Sequence, residues 1–337
     1  MEKSKLVEQL RQVIEETSSF CSGLGIDLTK IQTAYGFERV RLIDDAVDAI
    51  LVNDESKRKY MSLAGSIVMI FRSILPDPKA GEFYPKQALF AILAEKIRSM
   101  VKEADISGVM KAVDELLDDS ISTEGYVIRQ PLEPSETEHL VDLSRIDFEA
   151  LKARFEKGRK HIETEKLRSE INLKLVQIVR LNKSRTNYLD KFQKMIDEYN
   201  SSSYNIETFF AKLVKFAQEL NAEEKRGIAE KLTEEELAIF DLLTKPEMTL
   251  KKKEEQEVKK VAQELLETLK NEKLVLDWRK RQQSRAAVRE SIEVLLDIGL
   301  PLNSYTKELF QIKCDVVYQH IYDSYFGQGL SIYANAI

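Results

Sequence analysis

The chain has 337 residues, enough for about two domains with cores of their own. It is 43% hydrophobic and 32% charged, as expected of a soluble protein with long exposed helix faces, and no apolar run approaches the ~18 residues of a membrane span. A formal net charge of -6 argues against indiscriminate coating of DNA, and only two cysteines, Cys21 and Cys314, argue against a disulfide framework.

Helical periodicity dominates from the start. Lys5–Phe20 carries Leu6, Leu10, Val13 and Ile14 on one face, and the glycines of the GLG at 23–25 are expected to end that helix. The spacing predicts helices over Glu38–Leu51 and Glu55–Leu75 around an NDES turn at 53–56. The second of these is apolar around much of its circumference and is expected at the centre of its domain. Three prolines and a glycine break the chain at 76–85, after which Lys86–Val101 and Ser107–Leu117 return to the helical period.

From Ser120 to Ser144 the composition shifts to Ser, Thr, Glu and Pro, and only YVI at 126–128 suggests a short extended piece; this stretch reads as a linker. Asp147–Leu181 is expected to be one long helix that bends near Gly158. Tyr188–Tyr199 and Ile206–Leu220 align aromatic stripes (Tyr188, Phe192 and Tyr199; Phe209, Phe210 and Phe216) that read as core. Thr233 and Glu236 have capping-box spacing, and Lys251–Lys270 is amphipathic with balanced charge outside. A final helix is expected over Tyr305–Phe326. The reading is all-α: an irregular multi-helix bundle, with helical parts at 1–120 and 147–326, an extended linker at 121–146 and a tail at 327–337.

One stretch departs from the overall acidity. Between Lys273 and Arg289 stand six basic residues (Lys273, Arg279, Lys280, Arg281, Arg285 and Arg289) against one acidic residue, Asp277, around the only tryptophan, Trp278. The segment reads as a helix, because Val288, Ile292 and Leu295 recur at helical steps and Pro301 closes it. Arg281 and Arg285 then fall near the apolar stripe, where core is expected. Either they pair with carboxylates of neighbouring helices or the face meets a partner. Trp278, Arg279, Lys280, Arg281, Arg285 and Arg289 are the candidate binding residues, since Trp and Arg often dominate interfaces.

Catalytic patterns are lacking. There is no G-x-x-x-x-G-K-[ST] phosphate loop, and His139, His161 and His320 have no Cys or His partner at metal-ligand spacing. His161 with Glu163 and Glu165 reads as a solvated helix face, and His320, among Tyr318, Tyr322 and Tyr325, as a packed or capping histidine. Pro76-Asp77 with Glu82 and Lys86 does not meet the strand geometry of a PD…(D/E)xK nuclease.

Five phrases occur in order: SRTNYLDKFQKMIDEYN (184–200), NIETFFAKLVKFAQELN (205–221), LTEEELAIFDLL (232–243), LVLDWRKRQQSRAAVR (274–289) and YTKELFQIKCDVVYQHIYDSY (305–325). Together they resemble the C-terminal helical region of the restriction (R) subunit of type I restriction–modification enzymes. YGFERVRLIDDAVDAIL (35–51) and LPDP (75–78) extend the likeness less specifically. The resemblance implies a non-catalytic docking and coupling region, linking an ATP-driven DNA-translocating motor and nuclease to a methyltransferase core. The implied partners are the methyltransferase (M) and specificity (S) subunits and the motor domains of the same subunit, in the cytoplasm and away from any membrane. ATP and Mg belong to the parent complex and no cofactor to this chain, so Met1 is expected to mark a cut piece or a split gene. Other readings are a basic helical module touching DNA in the same complex, and an unrelated helical scaffold.

Overall fold

A computed structural model describes residues 3–75, 78–100, 143–245, 250–301 and 303–334. The described residues are overwhelmingly helical, so the all-α expectation holds, with one two-stranded exception at the C-terminal end. The helix expected at 107–117, the YVI piece and nearly all of the expected linker lie outside the described residues. No described helix is long and apolar enough to cross a membrane.

The chain divides into two compact units that are discontinuous in sequence. Of the described residues, one comprises those within 3–100, 143–173 and 192–217, and the other those within 174–191 and 218–334. The two units are thus interleaved along the chain.

In the first unit, α1 (Lys3–Gly23) ends in the glycine arrangement its sequence suggests. Gly25 sits at φ +77, where a side chain would be strained, and the Ile26 N–H donates to the Cys21 carbonyl at 3.0 Å. After α2 (Leu28–Thr33) come α3 (Gly36–Ile50), α4 (Asp54–Ile74) and α5 (Tyr84–Met100). Asn53 caps α4 by accepting from the Ser56 N–H at 2.8 Å. α4 packs against α1, α3 and α5, as expected of a central helix, and Leu10, Ile14, Tyr60, Ile67, Phe90 and Leu93 form the middle of the core. The Tyr60 hydroxyl is satisfied there by the Phe90 carbonyl, 3.0 Å away.

The long helix expected from 147 to 181 is two helices, α6 (Phe148–Lys157) and α7 (Lys160–Leu181). Gly158 is extended between them (φ -113, ψ -153), and a Cβ there would stand 2.6 Å from the Arg154 carbonyl oxygen. Acidic residues of α3 hold the new helix start. Asp48 accepts from the Ile162 N–H at 3.0 Å, and Arg159 reaches Asp45 at 2.9 Å and Asp44 at 3.1 Å. Carboxylates there favourably meet the positive end of a helix dipole. α8 (Thr186–Asn200) and α9 (Ile206–Glu224) follow. Their aromatic stripes are core, with Phe155 stacked on Phe210 at 3.9 Å and Phe192 on Phe216 at 5.8 Å.

In the second unit, after the short α10 (Arg226–Glu230), four helices form a bundle: α11 (Glu234–Thr244), α12 (Lys252–Thr268), α13 (Gln282–Gly299) and α14 (Lys307–Ser324). Each packs on the next and α14 closes against α11. Thr233 and Glu236 form the expected capping box at the start of α11. At its other end, buried Lys313 of α14 donates to the Leu242 carbonyl at 2.7 Å and to that of Lys245, covering carbonyls the helix leaves open. Burial without a carboxylate brings this amine down to about 8.

Strands β1 (Tyr325–Gly327) and β2 (Leu330–Ser331) pair antiparallel, and Tyr333 is buried beyond them. Its hydroxyl donates to the Leu181 carbonyl at 2.6 Å and so accepts from His320 Nε2 at 2.9 Å, fixing the imidazole tautomer. His320 is therefore the packed histidine expected.

Candidate interaction site

The basic segment is not one helix. α12 widens into a π turn over Leu269–Lys273, Asp277 takes a left-handed conformation (φ 57), and α13 begins only at Gln282, with Arg281 as its N-cap. The helical-wheel placement of Arg281 therefore does not apply, while that of Arg285 does. The apolar rhythm of Val288, Ile292 and Leu295 that suggests a helix lies in α13 proper, where Val288 and Ile292 are buried and Leu295 packs half-buried against the same core, with Leu296 the buried residue next to it.

Trp278 departs most from expectation. It is 0% exposed, within the core of the four-helix unit, and Nε1 donates to the Tyr325 carbonyl at 3.1 Å. Its indole meets the Tyr322 ring edge-on at 5.8 Å. A side chain with no accessible surface offers a partner nothing. Trp278 instead fixes the turn that carries the arginines.

Around it the cations separate. Arg289 is neutralised by Asp315 and by Glu293, at 3.2 Å, and so follows the reading of pairing between helices. Arg279 donates to the Tyr322 carbonyl at 3.0 Å and lies over the Phe326 ring at 4.4 Å; its partial burial lowers its pKa. Arg285 donates to the Arg279 carbonyl at 2.7 Å. Lys280 is exposed and pairs with Asp277 at 3.0 Å, and Arg281 projects into solvent. Carbonyls and rings orient a guanidinium without cancelling its charge. Among the described residues, Arg279, Arg281 and Arg285 form no salt bridge, so the segment retains positive charge.

The sequence did not reveal two charged clusters. In the second unit, buried Arg185 is gripped by Glu223, at 3.1 Å, and by Glu234. Nearby, Asp241 accepts from Asn182 at 2.7 Å and pairs with Arg226 and with Lys245 at 3.2 Å. Burial raises the Glu234 pKa despite Arg185 beside it. In the first unit, Arg168 forks onto Asp54 at 2.6 and 2.9 Å, and Lys57 pairs with Glu165. Burial pushes Asp54 up, but hydrogen bonding and charge from Arg168 outweigh it and leave the carboxyl below its ordinary range. Glu165 is buried and His161 half-buried, with burial lowering its pKa; that face of α7 is packed, not solvated as expected. Nothing local marks this burial, since Glu165 and Arg168 look like any exposed i,i+3 pair. Both clusters satisfy their own charges, and among the described residues no group of three His, Cys, Asp or Glu could hold a metal ion.

No solved structure matches the chain. A Methanocaldococcus jannaschii protein named as a type I restriction enzyme MjaIXP endonuclease subunit is 20% identical over 325 residues, covering 91% of this chain. The chain spans only 30% of that relative's length. The model of the family described as type I restriction enzyme HindI endonuclease subunit-like, C-terminal, matches residues 1–322, which is nearly the whole chain. The chain belongs to that family, the C-terminal region of type I restriction endonuclease subunits.

Proposed function

We propose that this chain is the docking and coupling region of a type I restriction endonuclease subunit. It would hold the ATP-driven motor and nuclease of such a subunit to a methyltransferase core of M and S subunits, in the cytoplasm. The observation that carries this reading is the positive charge, paired with no carboxylate in a salt bridge, of Arg279 and Arg281 on a turn anchored in the core and of Arg285 in the first turn of α13, in an otherwise acidic chain. Family membership supplies the context. A complex of this kind would use ATP and Mg²⁺, and the sequence has no glycine-rich loop to cradle a nucleotide phosphate. On this reading both belong to other parts of the subunit.

The test is size-exclusion chromatography with light scattering of the chain mixed with its cognate M–S core, with and without duplex DNA. Co-elution at the summed mass without DNA is expected. Failure to co-elute under both conditions overturns the reading. Exposure of Lys280 and Arg281 favours a second reading, direct contact with DNA phosphates, in which the chain joins the complex only when DNA is present.

A further inference from the structure

The turn that carries the uncancelled arginines also leaves apolar side chains in solvent. Val275 is 48% exposed and Leu276 53%, and Leu330, on the C-terminal hairpin, is 63% exposed. Backbone contacts bring hairpin and turn together. The Gln328 N–H donates to the Leu274 carbonyl at 3.2 Å. Gly327, the register partner of Leu330, comes so close that a Cβ would stand 2.5 Å from the Val275 oxygen. That residue also has φ +99, so both space and conformation call for glycine. Beneath them Trp278 bonds to the Tyr325 carbonyl and fills the core. The exposed residues therefore sit on a framework braced from below, which lowers the ordering cost of binding.

The chemistry separates two kinds of negatively charged partner. Phosphates would satisfy the arginines but give aliphatic side chains nothing to cover them. Single-stranded bases stack on aromatic rings, whereas the exposed residues here are Val and Leu. An apolar centre with a charged, solvent-accessible rim is instead the anatomy of a protein interface. We propose that Val275, Leu276 and Leu330, rimmed by Arg279, Lys280 and Arg281, dock onto a protein surface with an apolar centre and an acidic rim. This rests on the docking reading above, under which that surface belongs to the methyltransferase subunit. The anchor is then the aliphatic trio, with Trp278 as its support.

The experiment measures affinity for the M–S core by titration calorimetry, using the full chain, its Leu276→Asp/Leu330→Asp double variant and Arg281→Glu. Thermal melting and circular dichroism check that each variant is folded. Should the aspartates disturb the hairpin, Leu276→Ser/Leu330→Ser replaces them. The folded double variant is expected to lose at least about tenfold in affinity, and Arg281→Glu to lose affinity through repulsion of the acidic rim. If the double variant binds as tightly as the parent chain, the inference falls while docking through another face stands. Failure of the parent chain to bind the core overturns both. If instead the parent chain binds duplex DNA, and only Arg281→Glu weakens it, the occupant is nucleic acid and the inference falls.

Discussion

Trp278 shows what a residue's type can and cannot reveal. A lone tryptophan among arginines has interface composition, but which way the indole points depends on a hairpin 47 residues further along, whose Tyr325 carbonyl receives its N–H. Spacing along the sequence carries no trace of that pairing. The buried position has a measurable consequence: Trp278→Ala is expected to cost about 3–5 kcal/mol in urea unfolding, a core cavity rather than a surface loss. Trp278→Phe should cost less, because it refills part of the space and leaves one carbonyl unpaired. As the only tryptophan, Trp278 should also fluoresce at short wavelength in the folded chain and shift red in urea. A surface anchor would show neither effect. His320 makes a second case at this scale. Burial, and then the charge of Lys183, bring its pKa down to about 3, below the ordinary 6.5. Between these values the unfolded chain binds a proton that the native chain refuses, so stability falls as pH drops from about 6.5 toward 3. The slope from this residue should approach about 1.4 kcal/mol per pH unit. His320→Gln, which cannot titrate, should flatten that limb of the stability profile, and in the parent chain the ring resonances should not titrate above pH 5.

Elements were more legible than single residues, because helices are written in local periodicity. α4, α8, α9 and α12 fall close to where their apolar stripes place them, and the Thr233–Glu236 box starts α11 as spaced. The misses are places where backbone geometry overrides period. Gly158 separates two helices, although Leu151, Phe155 and Ile162 suit a continuous stripe. Asp277 turns left-handed within a run whose composition suits a helix. The final hairpin was hidden because its strands are only two and three residues long, too short for an alternating pattern to emerge. Where the sequence signal is local, its energetic value should be local too. Thr233→Ala removes a hydroxyl that accepts from the Glu236 N–H, and is expected to lower stability by about 1 kcal/mol. Thr233→Asp, which keeps an acceptor and adds negative charge at the helix N-terminus, should retain most of it in the same thermal unfolding assay.

At the scale of the whole molecule, composition located the exceptional charge but not what surrounds it. The net charge of -6 and the basic run at 273–289 were both evident in the sequence. The structure adds that Arg289 is spent on Asp315 and Glu293, whereas Arg279, Arg281 and Arg285 are held by carbonyls, rings and solvent. The aliphatic residues beside them decide how the whole chain should respond to salt. An interface led by phosphate contacts loses affinity steeply, because each neutralised phosphate releases counterions. About four contacts give a slope near -3.6 in log K against log salt, or about 2.5 decades between 0.1 and 0.5 M. An apolar centre with a charged rim loses only the screened part, since exposed pairs contribute little and burial of aliphatic area is insensitive to such salt. Affinity for the M–S core should therefore fall less than about tenfold over that range. A fall of two decades or more would mean that charge, not the Val275–Leu276–Leu330 trio, carries the contact with the core.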